Sequence, residues 1–202
     1  MFFLNYSTVI DLILRDLRIF ISEFSGIKTR DTILDVCCGT GEQVFYYVKK
    51  GAIATRIDLD PNMLRLAERN KKKSGIKDAS FQIADASNLP FQDNIFDFAS
   101  ISLALHPIKQ TSRDRVISEM KRVVKKKGTL IFADFQVPLP QNVFRYLAKI
   151  IEFIAGGEHY RNFKDFIRQG GLNELLMRNQ LQIEKMGCLK AGLIAIIESR
   201  NK

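Results

Sequence analysis

Between residues 27 and 135, short apolar runs alternate with amphipathic stretches of about ten to fifteen residues, and this rhythm limits the chain more than any other feature it carries. The runs 32–37, 52–58, 80–84, 95–102 and 128–135 read as strands, and the stretches 41–50, 61–73 and 111–125 between them as helices. A crossover helix returns the chain to the same end of the sheet, so such strands must be parallel. The last third reads differently. Helical candidates at 141–155, 163–169 and 172–178 precede two short β-like runs, 182–188 and 193–199, around Gly187 and Gly192. That pair is too close for a crossover helix and must form an antiparallel hairpin. Ahead of all this, Ile10, Ile13 or Leu14, Leu17, Phe20 or Ile21 and Phe24 recur at steps of three and four, which predicts one or two helices over 4–24, laid on a neighbouring surface.

A chain of 202 residues is long enough for one such α/β domain and short for two, so a single domain over 1–202 is expected. Basic residues outnumber acidic ones by 31 to 22, a net charge of +9 that permits attraction to phosphates or anionic lipid. Much of the excess sits in Lys71 to Lys73 and Lys125 to Lys127, each expected in the last turn of a helix, where cations complement the helix dipole. Cys37, Cys38 and Cys188 form no CxxC pair, and no histidine or carboxylate stands at metal-ligand spacing. No disulfide scaffold and no metal site is therefore expected, and a reducing compartment is. The first twenty residues are apolar but broken by Asp11, Arg15, Asp16 and Arg18, unlike a signal peptide, and no run approaches 18 uninterrupted apolar residues. A cytoplasmic chain is therefore expected.

The chemistry concentrates at ILDVCCGTG, residues 33–41, a strand running into a tight turn and then a helix. Gly39 and Gly41 let backbone approach a ligand at the carboxyl end of the first strand, where ligands of open α/β sheets collect. The position of the third glycine of a dinucleotide fingerprint holds Val44, and the Gly-Lys-Ser/Thr ending of a phosphate loop is absent. The turn suits a nucleoside-like ligand without a pyrophosphate. Asp58, 17 residues after Gly41, ends the second strand, where a carboxylate can accept from both ribose hydroxyls. Asp60 and Pro61 follow as N-cap and first helical residue.

ILDVCCGTG, RIDLDPNML, FQIADASNLPFQDNIFDFASISLALH and MKRVVKKKGTLIFADF resemble, in order, the motifs of the Rossmann-like S-adenosylmethionine-dependent methyltransferases, especially the branch containing the ubiquinone and menaquinone biosynthesis methyltransferases. The likeness spans about half the chain, roughly 32–135. It implies a doubly wound, seven-stranded, mostly parallel sheet of order 3-2-1-4-5-7-6 with the last strand antiparallel and helices on both faces. Residues 1–30 would be a helical cover, 31–135 the cofactor core, and 136–202 the substrate-side helices and hairpin. By the same resemblance Asp35, Cys37, Cys38, Gly39, Thr40 and Gly41 line the methionine part of S-adenosylmethionine, Asp58 holds the ribose, Leu59 and Met63 flank the adenosine, and Asp85 with the backbone of Ala86 binds the adenine edge. Blander roles compete: Met63 fits a core, Asp85 fits a turn cap, and the cysteines fit buried small residues. Asp97 reads as structural. Cys37 stands where the family has more often glycine, and Lys126-Lys127-Gly128 replaces its usual Pro-Gly-Gly.

For the acceptor side the chain offers two histidines, His106 after the fourth strand and His159 in GGEHYRNF, with the phenol of Tyr160 beside it; these three are the candidate catalytic residues. The stretch SISLALHP lacks both the Asn/Asp-Pro-Pro-aromatic run of nucleic-acid amino-methyltransferases and the paired glutamates of arginine methyltransferases. The expected acceptor is a small, lipophilic or quinone-like molecule. Nucleic acid is not the expected partner, peripheral contact with a membrane stays open, and so does the oligomeric state. An RNA or ribosomal-protein methyltransferase and a non-catalytic cofactor-binding module are the competing readings, and a NAD-dependent dehydrogenase is a distant one.

Overall fold

The computed structural model describes the backbone from Tyr6 onward and side chains from Leu14 onward, so the beginning of the predicted 4–24 helix lies outside the described residues. The chain runs α1 (Tyr6–Phe24), β1 (Thr32–Val36), α2 (Glu42–Lys49), β2 (Ile53–Asp58), α3 (Pro61–Ser74), β3 (Ala79–Ile83), β4 (Phe96–Ser102), α4 (Gln110–Val123), β5 (Val124–Phe135), α5 (Val143–Ile154), α6 (Gly157–Arg168), α7 (Gly171–Arg178), β6 (Ile183–Leu189) and β7 (Ile194–Arg200). The strands form one seven-stranded sheet of order β3-β2-β1-β4-β5-β7-β6. β1 to β5 are parallel, and β7 runs antiparallel to both β5 and β6, as the hairpin argument requires.

β1 is an interior strand, flanked by β2 and β4, and is buried from Ile33 to Val36, apolar apart from Asp35. Its register sets Val36 beside Ile57 of β2 and Ile101 of β4, so the carboxyl ends of the three strands open on one rim. The start of β1 is pinned by Asp97, which accepts from the Thr32 backbone N–H (2.9 Å) and hydroxyl (2.7 Å) and pairs with Lys125 (2.8 Å). Asp97 is thus a structural residue. Asp60 caps α3 by accepting from the Asn62 N–H, Pro61 is its first residue, and Lys71, Lys72 and Lys73 fill its last turn before Gly75 at φ 68°.

Two local expectations need correction. Lys125, Lys126 and Lys127 are not the end of a helix: α4 stops at Val123 and β5 begins at once, because Val124 pairs with Phe96 across a register shift in the β4–β5 ladder. α6 starts at Gly157, a turn and a half before the predicted 163, since Gly156 takes the φ of 122° that breaks the chain and Gly157 is already helical. α1 buries its apolar stripe against the rest of the domain. Leu17 and Ile21 are buried in the central core, and Phe20 and Phe24 close over Gly187 so tightly that a Cβ there would meet the Phe20 ring at 2.9 Å.

Candidate active site

At the end of β1 the backbone turns left-handed three times, at Cys37 (φ 56°), Gly39 (φ 51°) and Gly41 (φ 75°). The two glycines serve different ends. A Cβ on Gly41 would stand 2.0 Å from a guanidinium nitrogen of Arg56 and 2.9 Å from the Ala67 methyl, so Gly41 is needed to let α2 and α3 close on the turn. A Cβ on Gly39 would meet nothing within 4 Å, which leaves bare backbone facing open space. Cys37, holding a conformation that favours glycine, stores strain of about 1 kcal/mol. Burial pushes its thiol up to about 12, with Asp58, Asp35 and Asp85 adding to the effect, and burial raises Cys38 further still. Neither cysteine is poised as a thiolate.

Asp58 stands beside that open turn: one carboxylate oxygen accepts from the Gly39 N–H (2.7 Å), the other from the Asp60 N–H (2.9 Å). Leu59, next to it, is 68% exposed, an apolar side chain left at the mouth of the crevice, and Met63 is half-buried on the first turn of α3. Asp85 follows the end of β3, exposed, and accepts from the Ser87 N–H and hydroxyl (2.8 Å each), while Ala86 is buried. The structure thus gives Asp85 the turn-capping role and keeps it on the rim shared with Asp58, close enough to act on the Cys37 thiol.

Asp35 lies beneath the turn, fully buried, and accepts from the Ser100 hydroxyl at 2.7 Å. Burial lifts its carboxyl from 3.8 to about 6, against the Ser100 bond and the charges of Arg56 and Arg18. Arg56, also fully buried, donates to the Gly41 carbonyl and lies with its guanidinium carbon 3.3 Å over the Phe81 ring, with the Phe45 ring on another side. Nothing in the sequence marked Arg56. An arginine amid a β-strand reads as solvent-facing until the glycine turn is folded over it.

A second site opens on the same rim, past the ends of β4 and β5. An apolar cavity of about 370 Å3 is enclosed by Leu14 and Leu17 of α1, Leu103, Phe135, Ala148 and Ile151 of α5, and Leu193. The polar side chains in its lining are His106, Glu152, His159 and Lys190, the last paired with Asp16. Leu103, at φ 52°, turns the chain out of β4 into a segment that Asp134 clamps. The Asp134 carboxylate accepts from the backbone N–H of Leu105 and His106 (3.1 Å each) and of Phe135 (2.8 Å), and meets Nδ1 of His106 at 2.7 Å. Burial alone would lower the His106 pKa, but Asp134 and Glu152 outweigh it and raise the imidazole to about 9. The other ring nitrogen, Nε2, lies 3.3 Å from Oε2 of Glu152, and Nε2 of His159 lies 2.7 Å from the same oxygen. Buried Arg113 ties this segment to α6 through the carbonyls of Leu105, His106 and Asn162 and the Asp165 carboxylate.

The structure brings His106 and His159 together, with ring centroids 5.5 Å apart, and keeps Tyr160 away from them. Tyr160 borders a separate depression with Leu139, Lys149, Lys164 and Ile167. The reason is helical: successive residues of α6 point about 100° apart, so one cannot follow the other into the cavity. Glu152 and Asp134 were missed by sequence reading. Glu152 looks like an ordinary polar position of α5, and the apolar residues at three- and four-residue steps around it carry the only hint.

A sheet of this order, with a glycine turn after its first strand and a carboxylate closing its second, defines the Rossmann-like methyltransferase class. Residues 34–132 match the family described as a methyltransferase domain. The chain is similar to the "Ubiquinone/menaquinone biosynthesis C-methyltransferase UbiE" of Psychromonas ingrahamii, 30% identical over 196 residues, covering 88% of this chain and 76% of that protein. It is 33% identical to the "Demethylmenaquinone methyltransferase" of Thermotoga maritima over 125 residues, 61% of this chain and 50% of that one. Among solved structures, the PH0226 protein of Pyrococcus horikoshii superposes with a TM-score of 0.73 at 19% identity, over 98% of this chain and 93% of that one. An S-adenosylmethionine-dependent methyltransferase of Aquifex aeolicus does so with 0.68 at 18% identity, over 97% and 98%. The chain belongs to the S-adenosylmethionine-dependent methyltransferases, and its activity and cofactor are those of that class.

Proposed function

We propose that the protein methylates a small lipophilic, quinol-like molecule held in the cavity between α1, α5 and the ends of β4 and β5. The observation that carries this reading is the cavity itself: apolar nearly all round, of a size that suits a small ligand, with one polar corner made by His106, Glu152 and His159. The names of the quinone-biosynthesis relatives point the same way.

Bound S-adenosylmethionine supplies an electrophilic methyl group on a sulfonium, and the chain's task is alignment. In this reading Asp35, Cys37, Cys38, Gly39, Thr40 and Gly41 line the methionine part, with Gly39 offering its uncovered backbone. Asp58, preset by the Gly39 and Asp60 amides, accepts from the ribose. Leu59 and Met63 flank the adenosine, and Asp85 with Ala86 meets the adenine edge. His106 and His159 are the acceptor-contacting residues, orienting its oxygen toward the polar corner. Tyr160 has no part in that contact.

α5 supports a peripheral encounter with an anionic membrane from which such an acceptor would enter. Val143, Tyr146, Ile150, Phe153 and Ile154 are exposed on the helix that walls the cavity, and the chain's net charge is +9. Incubating the protein with S-adenosylmethionine and a panel of demethylated quinols, and following S-adenosylhomocysteine, tests the proposal. Methyl transfer to quinols but not to lipids lacking a quinol ring or to RNA is the expected result; preference for RNA with steep salt dependence would replace it.

A further inference from the structure

Three side chains from separate parts of the chain meet in the polar corner of the cavity: His106 beyond β4, Glu152 on α5 and His159 on α6. Nε2 of each histidine faces the same oxygen of Glu152, at 3.3 Å and 2.7 Å, and the three atoms lie within 4.8 Å of one another. That oxygen is buried and receives no hydrogen bond of good geometry from either ring. Glu152 itself is 5% exposed in an apolar wall, where an unpaired carboxylate is costly. On the far side of the His106 ring, Asp134 is filled by three backbone amides and accepts from Nδ1–H, so Nε2 is the ring nitrogen that faces Glu152, and a metal bound there takes the place of the Nε2 proton. Two imidazole nitrogens and a carboxylate oxygen converging in a dry pocket form a ligand set that a metal cation can occupy in exchange for the ring protons.

We propose that His106, Glu152 and His159 bind a divalent transition-metal ion of the zinc type, with Asp134 orienting His106 from behind and one coordination position open to the cavity. Two imidazoles and one carboxylate plus an open position is the ligand set of a reactive rather than a structural zinc site. Magnesium and calcium want oxygen donors, which this corner does not offer in number. Tetrahedral coordination with bonds of about 2.0–2.1 Å sets neighbouring ligand atoms roughly 3.3 Å apart. The His106–Glu152 pair is already at 3.3 Å, and His159, a third exposed, has room to move out from 2.7 Å. A histidine backed by a buried carboxylate is the usual outer arrangement of such sites, since it fixes the tautomer and the ring. The expectation of no metal site rested on ligand spacing along the chain. These ligands are brought together by the fold across 46 and 7 residues, which local spacing does not register.

The open position faces the space assigned above to the acceptor, and to that extent the role of the ion rests on that assignment: it would hold and polarise an acceptor oxygen. Binding of the ion does not depend on it. The protein is stripped with chelator, titrated with Zn2+ and with Co2+, and read by elemental analysis and by the visible absorption of four-coordinate cobalt. The expected result is one equivalent per chain. Glu152→Gln and His159→Asn each abolish the cobalt band, and Asp134→Asn weakens binding by about 10- to 100-fold. S-adenosylmethionine affinity, measured on each variant, shows that the fold persists. Retention of less than a tenth of an equivalent, or a stoichiometric site that Glu152→Gln and His159→Asn leave unchanged, overturns the proposal. If the ion binds as described but no quinol is methylated, the acceptor assignment falls and the metal site stands.

Discussion

The two halves of the rim are built on opposite plans. The cofactor side is assembled from neighbours in sequence: Gly39, Asp58 and Asp60 lie within about twenty residues of one another, and their polar groups are already paired. The acceptor side draws on residues as distant as Leu14, His106, Phe135, Glu152 and Leu193, and it sets one buried carboxylate oxygen against two imidazole nitrogens. The first is a preset surface awaiting a known ligand. The second is a cavity whose walls depend on how two helices dock, and its chemistry is therefore the part that one family member can change without disturbing the other.

Substitutions should separate the two plans, and the largest effect belongs to the docking. Arg113→Leu leaves three backbone carbonyls and Asp165 without their guanidinium and should cost about 3 kcal/mol or more. Urea unfolding measures that, and S-adenosylmethionine affinity of the folded protein should change little. An Arg113→Leu protein as stable as its parent would dissolve the distinction, because α6 would then need no anchor. The next effect lies under the cofactor turn. The Asp35 carboxyl titrates near 3.8 when unfolded and near 6 when folded, so between those values the folded chain holds more protons and stability falls as pH rises. The fall should total roughly 3 kcal/mol, about two thirds of it between pH 4 and 6, and level off above about pH 7. Asp35→Asn should lack this fall, be the more stable protein at pH 7, and bind S-adenosylmethionine less well; identical pH profiles for parent and variant would refute the assignment.

Asp58→Ala should weaken S-adenosylmethionine binding by about 30- to 100-fold, the loss of hydrogen bonds to a charged group worth about 2–3 kcal/mol, as read by calorimetry. Acceptor affinity at saturating cofactor should hold. The smallest effect is expected on α5, where Phe153→Glu should lower partition onto anionic vesicles by about tenfold, from roughly 1.5 kcal/mol of lost apolar burial, with turnover of a water-soluble quinol unchanged. Equal partition of both proteins would remove the membrane encounter.

How much of this was legible in the sequence follows the same division. The positions of the strands, the N-cap at Asp60 and the place of Asp58 were readable because periodicity and turn chemistry act over a few residues, whereas the order of the sheet came with the family resemblance alone. The start of β5 was not, since Val124 to Lys127 look like the end of a basic helix until Val124 finds Phe96. Nor was the separation of Tyr160 from His159, which needs α6 to begin at Gly157 rather than 163. Glu152 carries no local signal beyond the apolar steps around it. Its meaning comes only from the two histidines that the fold sets against it.

Ala148→Trp tests the central claim most directly. Ala148 is buried in the cavity wall, away from the glycine turn, so a tryptophan there fills the space assigned to the acceptor. With S-adenosylmethionine affinity and quinol turnover measured on the same preparation, affinity should stay within about twofold while kcat/KM for the quinol falls at least about 100-fold, near 3 kcal/mol of lost transition-state binding. Turnover that survives the tryptophan, or affinity that collapses along with it, would contradict the two-site account.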